Sequence, residues 1–413
     1  MKIAFLTLGC KLNFAETATY ERGFAAAGLE VVPWREKADI YLINTCTVTE
    51  TANKKSRSEI RKVHRINPEA KIIVTGCYAQ MKPDEVRAIE GVSRVFMSDE
   101  KSLVVSETLK ESSADSPRQT TSTIFGAYST GERTRAFLKI QDGCDNFCRY
   151  CTVPYARGRS RSLPSCEVVK AAEEIASKGV IEVVLTGVNT GDYGRDSGES
   201  FLSLLKRLNA VEGIERWRIS SIEPNLLSNE IIDWIASGTK FQPHFHIPLQ
   251  QGTDEILSKM GRKYTTEFFA EKIEYIRSRM EGPGKPKVFF GIDVMAGLPG
   301  ETDALFEQEC RFLERIHPAF IHIFPYSRRP GTPAASMEGQ VSEQVKAERV
   351  KVLEAMCSRF HDEFVKINRG IRSEVIFESK LKDGMMGGYT GNYIRITRPY
   401  DASLVGRLTE VII

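Results

Sequence analysis

The sequence predicts an α/β protein in three successive parts: an N-terminal parallel α/β sheet, a central partial (β/α)6 barrel and a small C-terminal β-barrel. Three observations predict it. Short apolar runs alternate with helical stretches over residues 1–100 and again over 133–365, and such alternation builds parallel sheets with helices on their faces. Between the two lies a Ser- and Thr-rich stretch with little periodicity, read as a linker or crossing loop. Past residue 369 the helical signal stops, and strand-like runs are separated by Gly, Asp and Pro turns. The expected divisions are 1–105, a linker at 106–132, then 133–368 and 369–413.

In the first part, strands are expected at 2–7, 40–43, 71–75 and 94–97. Helices are expected at 15–27, with Gly28 placed to end it, at 50–66, stopped before Pro68, and at 83–90. In the second part, strands are expected at 136–141, 182–188, 217–222, 245–250, 288–294 and 320–326. A helix at 166–178 has Ser165 as its expected N-cap and Gly179 past its end. A long charged helix at 344–367 leads out of the barrel. The runs SEVIFESK, GYTGNYIRITR and GRLTEVII supply the last strands, in a stretch about as short as a five-stranded barrel allows.

The chain has 413 residues, 41% hydrophobic and 27% charged, which excludes whole-chain disorder and fibrous repeats. No stretch approaches the roughly 18 apolar residues of a membrane span. The opening MKIAFLTLGCKLN is too short and ends too polar for a secretory signal. A cytoplasmic protein without a membrane partner is expected. A net charge of +3 argues for no nucleic-acid partner by itself. Nine cysteines, an odd number in a reducing compartment, point away from a disulfide framework and toward metal binding or catalysis.

Cys144, Cys148 and Cys151 lie together in GCDNFCRYC, directly after the first strand of the second part. Three thiolates on one loop hold three corners of a metal centre. A closed structural zinc site needs four ligands, often including His, and the nearest histidines are His64 and His244. Three ligands on a cubane leave one iron open, whereas ferredoxin patterns use four cysteines. A zinc knuckle or unrelated cysteines are the alternatives. Cys10, Cys46 and Cys77 are far apart in sequence, but each follows the C-terminal end of a different expected strand. In a parallel sheet those ends share one edge, where ligands bind. The alternative is that they pack as small hydrophobes. Cys166, Cys310 and Cys357 fall in expected helices and are read as packing residues.

The run GCDNFCRYC, with Tyr150 before its last cysteine, is similar to the radical S-adenosylmethionine (SAM) signature. The three-part order with Cys10, Cys46 and Cys77 resembles the methylthiotransferase family within that superfamily. The stretches LGCKLN, NTCTVT, GCYAQ, CDNFCRYCTVPYARG, HIPLQQGTD, GLPGET and PYSRRPGTPA extend the resemblance over essentially the whole chain. It implies two [4Fe–4S] clusters. One sits on Cys144, Cys148 and Cys151, where its open iron chelates SAM and a radical is generated. The other, auxiliary, sits on Cys10, Cys46 and Cys77 and carries or supplies sulfur. It further implies a C-terminal TRAM module, an electron donor such as a flavodoxin or ferredoxin, and a monomer.

Further residues fit SAM handling, with turn or packing roles as alternatives. Gly187 and Asn189 lie in TGVNTGDYG after the second barrel strand. Glu223 and Gln250 end the third and fourth, and Asp293 lies in the fifth. Phe324 and Tyr326 lie on the last. All are on the C-terminal side of barrel strands, where sites gather. Arg157, with Arg159 and Arg161, makes a positive patch suited to a SAM carboxylate or an RNA phosphate.

Relatives of this family act on an adenosine next to the tRNA anticodon or on a ribosomal-protein aspartate. Residues 52–65 carry six Lys/Arg against one Glu, a helix able to track an RNA backbone. Tyr389, Asn392, Tyr393 and Arg395 could combine base stacking with phosphate contact. LGCKLN and NTCTVT look most like the branch acting on N6-threonylcarbamoyladenosine. The isopentenyladenosine branch typically has Gln-Met where this chain has Lys11 and Leu12. The expectation is therefore methylthiolation of threonylcarbamoyladenosine in the tRNA anticodon stem-loop. The alternatives are isopentenyladenosine in tRNA, a ribosomal-protein aspartate or, more remotely, a non-catalytic metal-containing RNA-binding protein. An Arg or Lys is expected for the threonylcarbamoyl carboxylate.

Overall fold

The computed structural model describes residues 1–110, 124–130 and 134–413. Its first five strands are β1 (Lys2–Thr7), β2 (Glu30–Val32), β3 (Ile40–Thr45), β4 (Lys71–Gly76) and β5 (Val92–Val95). They form one parallel sheet in the order β2-β1-β3-β4-β5. All six residues of β3 are buried, as a parallel strand covered on both faces requires. Alternate residues feed two cores: Tyr41 and Ile43 on one face, Ile40 and Leu42 on the other.

Helix α1 (Lys11–Ala26) lays Tyr20 and Phe24 on the Leu42 face, and α2 (Glu50–Ile66) lays Ile60 and Val63 on the Tyr41 face. Thr49 caps α2 by accepting from the Ala52 N–H. Helix α1 begins four residues earlier than expected, because its N-cap is Cys10, which makes no side-chain capping bond and so leaves no signal. Gly28 ends it with φ +85°, as expected. Strand β2 was not expected; three residues are too few to show a period. Of the stretch read as a linker, 106–109 complete the helix Val104–Leu109 and Phe125 stacks on Tyr20 at 5.1 Å; 111–123 and 131–132 lie outside the described residues.

The second part opens with β6 (Arg135–Lys139) and a short antiparallel pair, β7 (Gln141–Asp142) and β8 (Arg161–Ser162). Then follow β9 (Glu182–Thr186), β10 (Arg216–Ile219), β11 (His244–His246), β12 (Phe289–Ala296) and β13 (Phe320–Pro325). Strands β6-β9-β10 and β11-β12-β13 are two parallel triplets. They join through a Trp217–Phe241 bridge and the Ile222 N–H to His246 carbonyl bond of 3.1 Å. Among the described residues β6 and β13 do not pair with each other, so the six-stranded barrel is open. The run expected as a strand to 250 leaves the sheet after His246, and Gln250 rejoins it at Val294 with φ +71°. The helix Ser165–Ser177 starts on Pro164; Ser165 does not cap it, and its hydroxyl donates to Glu199 Oε1 at 2.7 Å.

After the helix Glu343–Ile367 come β14 (Arg372–Lys382), β15 (Met385–Thr390), β16 (Arg395–Pro399) and β17 (Leu408–Ile412). They form an antiparallel sheet in the order β16-β15-β14-β17, with one further bridge between Phe377 and Val405. This sheet docks on the N-terminal end of the barrel. Arg218 donates to the Thr390 and Gly391 carbonyls at 2.8 Å each, and Arg135 donates to the Tyr393 hydroxyl at 3.1 Å. Tyr393 packs on His244 at 4.6 Å and on Tyr389 at 4.8 Å. Asn392 is buried and donates to the Lys287 carbonyl at 3.0 Å. The side chains offered for RNA stacking are thus taken into the interface with the barrel, and only Arg395 of that group stays exposed. No helix among the described residues is long and apolar enough to cross a membrane.

Candidate active site

Strands β1, β3 and β4 are neighbours, so their C-terminal ends bring Cys10, Cys46 and Cys77 to one edge. The pairs Thr7–Asn44 and Thr45–Gly76 show the three chains leaving the sheet side by side. Two glycines allow the approach. A Cβ on Gly9 (φ +105°) would stand 2.9 Å from the Cys46 Cβ, and one on Gly76 (φ +98°) would stand 2.4 Å from the Thr45 carbonyl oxygen. Asn13 ties the exits together, donating to the Leu8 and Thr45 carbonyls at 2.7 and 3.0 Å. Burial pushes the Cys46 thiol up to about 11 and also raises that of Cys77, against the pull of Arg157 and Lys101.

The second triad sits on the loop after β7. Gly143 (φ +75°) starts it where a Cβ would meet the Arg159 carbonyl oxygen at 2.0 Å. The Asn146 N–H donates to Cys144 Sγ at 3.5 Å and the Val153 N–H to Cys151 Sγ at 3.4 Å. Burial pushes Cys144 up to about 11 and Cys151 up to about 12. Arg262 Nη1 donates to Cys148 Sγ at 3.2 Å, while its Nη2 pairs with Glu223 at 3.0 Å. Arg262 belongs to no motif recognised in the sequence. The only signal for it was a charged GRK turn after HIPLQQGTD.

Both triads fit an iron–sulfur cluster by their donor chemistry. Buried thiols resist becoming lone thiolates, and a bound cationic centre reverses that preference. Around a single tetrahedral zinc, thiolate sulfurs at about 2.3 Å from the ion lie only about 3.8 Å apart. Among the described residues, only His246, Asp293 and His322 bring three ligand atoms within 4.8 Å of one another, so both cysteine triads are more widely spaced. Wider spacing suits a multi-iron cluster better than one ion.

The two triads are held close. The helix Cys77–Met81 packs against the helix Val153–Arg157, which begins two residues after Cys151. Beside this contact, Glu16 of α1 accepts from Lys101 and Lys139 at 2.8 Å each and from Arg157 at 3.2 Å. Asp142 pairs with Lys139 at 2.6 Å and with Arg157 at 2.9 Å. Arg157, offered from sequence for a SAM carboxylate or RNA phosphate, is instead enclosed by Glu16, Asp142 and Asn13, with Cys10 and Cys77 nearby. Arg329, not singled out from sequence, ties the last barrel loop to Glu50 at 3.2 Å and to Thr47 at 2.9 Å.

Other sequence candidates converge in part. The Asn189 N–H donates to Gln141 Oε1 at 3.0 Å, the Glu223 N–H donates to Asn189 Oδ1 at 3.3 Å, and a Cβ on Gly187 would meet the same Gln141 oxygen at 2.8 Å. Asp293 Oδ1 lies 2.7 Å from His246 Nε2, and the Gln250 N–H donates to the Asp293 carbonyl at 2.7 Å. Tyr326 is buried among Ile256, Met260 and Leu298, with Tyr150 packed on the same cluster, while Phe324 is exposed. The last pair therefore does not line one wall.

The profile of an uncharacterized protein family, UPF0004, matches residues 2–98, and that of the Radical SAM superfamily matches residues 138–313. The threonylcarbamoyladenosine tRNA methylthiotransferase MtaB of Bacillus subtilis (strain 168) is 40% identical over 99% of this chain and 93% of its own length. The protein of the same name from Aquifex aeolicus (strain VF5) is 37% identical over the full length of both. A tRNA-2-methylthio-N(6)-dimethylallyladenosine synthase of Carboxydothermus hydrogenoformans is 32% identical over 98% of this chain and 95% of its own. Among solved structures, the radical SAM methyltransferase TsrM from Kitasatospora setae shares the fold, at 15% identity and a TM-score of 0.57 over 81% of this chain and 77% of that one. The chain belongs to the radical SAM methylthiotransferase family, alongside the relatives named threonylcarbamoyladenosine tRNA methylthiotransferases.

Proposed function

We propose that this protein converts N6-threonylcarbamoyladenosine next to the tRNA anticodon into its 2-methylthio derivative. The observation that carries the reading is the pairing of two separate cysteine triads, packed close through the helices that follow Cys77 and Cys151. Residues 1–105 hold the auxiliary site, 133–368 the radical SAM site, and 369–413 form the TRAM-like module. Cys144, Cys148 and Cys151 hold one [4Fe–4S] cluster, and Cys10, Cys46 and Cys77 hold the other. Bound clusters and SAM supply the radical and the sulfur.

The chain's own groups orient these parts. Arg262 fixes the Cys148 sulfur against Glu223, and Arg157 supplies a buried positive charge beside Cys10 and Cys77. Gly187, Asn189, Glu223, Gln250 and Asp293 shape the C-terminal mouth of the barrel where SAM enters. The exposed side chains of Lys54, Lys55, Arg61, Lys62 and Arg65 along α2 suit an RNA backbone running past the auxiliary edge. The reading includes a cytoplasmic monomer that takes electrons from a flavodoxin- or ferredoxin-class donor.

The test is an anaerobic reaction with reconstituted protein, SAM and a strong reductant. Two anticodon stem-loops are compared, one with threonylcarbamoyladenosine and one with isopentenyladenosine, and the nucleosides are read by mass spectrometry. A methylthio product on the threonylcarbamoyl substrate alone is expected. Product only on the other, or 5′-deoxyadenosine with neither nucleoside modified, overturns the assigned substrate.

A further inference from the structure

Lys11 is the first residue of α1 and follows Cys10 directly. It retains accessible surface, yet the surrounding protein desolvates it and lowers its pKa, so it lies in a recess rather than on an open face. The groups facing it come from the barrel and the C-terminal module: Asp293, Arg135, Arg218 and Tyr393, with His244 and His322. Lys11 makes no ion pair and no hydrogen bond to any described residue.

Its charged neighbours are all engaged elsewhere. Arg218 pairs with Glu182 at 2.8 Å, and Arg135 pairs with Glu378 at 3.2 Å. Asp293 is hydrogen-bonded to His246 at 2.7 Å. The His322 ring stacks on His246 at 4.8 Å and makes no hydrogen bond to a described residue. Lys11 therefore faces a wall of His246, Asp293 and His322 without an ion pair, and the one carboxylate there, Asp293, is already bonded to His246. An enclosed charge is costly unless a partner meets it.

We propose that Lys11 binds the carboxylate of the substrate's N6-threonylcarbamoyl group, and that His246, Asp293 and His322 line the pocket around the rest of that substituent. This rests on the substrate reading above. On adenine, C2 and the carbon bearing N6 flank N1 on one edge of the ring. A group that grips the N6 substituent must then sit beside the place where C2 reacts, and Lys11 is adjacent to Cys10. An ammonium–carboxylate contact shielded from water discriminates strongly against a neutral analogue.

The experiment compares wild type, Lys11→Met and Lys11→Arg on two stem-loops, one with the threonylcarbamoyl acid and one with its methyl ester. Wild type is expected to prefer the acid roughly tenfold to a hundredfold in kcat/KM. Lys11→Met is expected to lose that preference and Lys11→Arg to keep part of it, with iron content and visible absorption matching wild type in both. Lys11→Met that keeps the full preference overturns the proposal. So does Lys11→Met that binds SAM more weakly at an unchanged acid-to-ester ratio, because the carboxylate is then that of SAM. If wild type fails to modify the acid stem-loop, the functional reading fails. Binding of the two stem-loops to wild type and Lys11→Met, read by fluorescence anisotropy, then still decides the Lys11 assignment.

Discussion

Cys46→Ala is expected to abolish the methylthio product while 5′-deoxyadenosine continues to form. Bound iron should fall from about eight to about four atoms per chain, the difference of one four-iron cluster. Cys46 leaves β3 between the exits of β1 and β4, and it stands so near Gly9 that a Cβ there would lie 2.9 Å from its own. No other cysteine can reach that position, because the sheet order fixes which strand ends are neighbours. The loop of Cys144, Cys148 and Cys151 folds on barrel contacts of its own, including the 3.1 Å bond from the Cys144 N–H to the Gly158 carbonyl. It should therefore survive the change. Cys144→Ala, by contrast, should stop SAM cleavage altogether. Methylthio product from the Cys46 variant, measured anaerobically with excess SAM, would contradict the two-site account.

The second large effect concerns Glu16. Its carboxylate is fully buried, and Lys101, Lys139 and Arg157 converge on one of its oxygens. Burial works to raise its pKa, but these three cations, Lys101 first, hold it well below the usual carboxylate range. Burial opposes ionisation of Asp142 in the same way, and Arg157 and Lys139 overcome it. Both carboxyls are thus more acidic folded than unfolded. Their stabilising contribution is complete above the ordinary carboxylate range near pH 4 and is lost as pH falls below it. Glu16→Ala leaves three buried cations facing Asp142 alone, and breaking such a set typically costs about 3–5 kcal/mol. Denaturant unfolding followed from pH 8 to pH 3 should show that loss at neutral pH and a flatter acid limb in the variant. A change below about 1 kcal/mol would show that the network does not hold the two parts together.

Much of this was legible in the chain because its signals are local. An apolar run followed by a cysteine marks a strand end, and three such runs at 2–7, 40–45 and 71–76 announced one shared edge. The alternation that predicted six barrel strands also survived, with bounds shifted by a few residues. Contacts across long sequence separations were not legible. Arg157 reads as an anion-binding residue beside a cluster loop, and it does meet carboxylates, but one of them is Glu16 of α1. Tyr389 and Tyr393 have the composition of a stacking platform, yet the aromatic surface they meet is His244 and Phe289 at the foot of the barrel. Arg262 and Lys11 carry no pattern of their own. Each gains meaning only from what folding places opposite: Cys148 and Glu223 for one, the barrel interior for the other.

The most direct measurement is nucleoside mass spectrometry of total tRNA from source cells lacking this gene. The account predicts that threonylcarbamoyladenosine accumulates without its methylthio form, and that the wild-type gene restores that form while the Cys46→Ala gene does not. Methylthio-threonylcarbamoyladenosine persisting at its normal level, with methylthio-isopentenyladenosine lost instead, would contradict it.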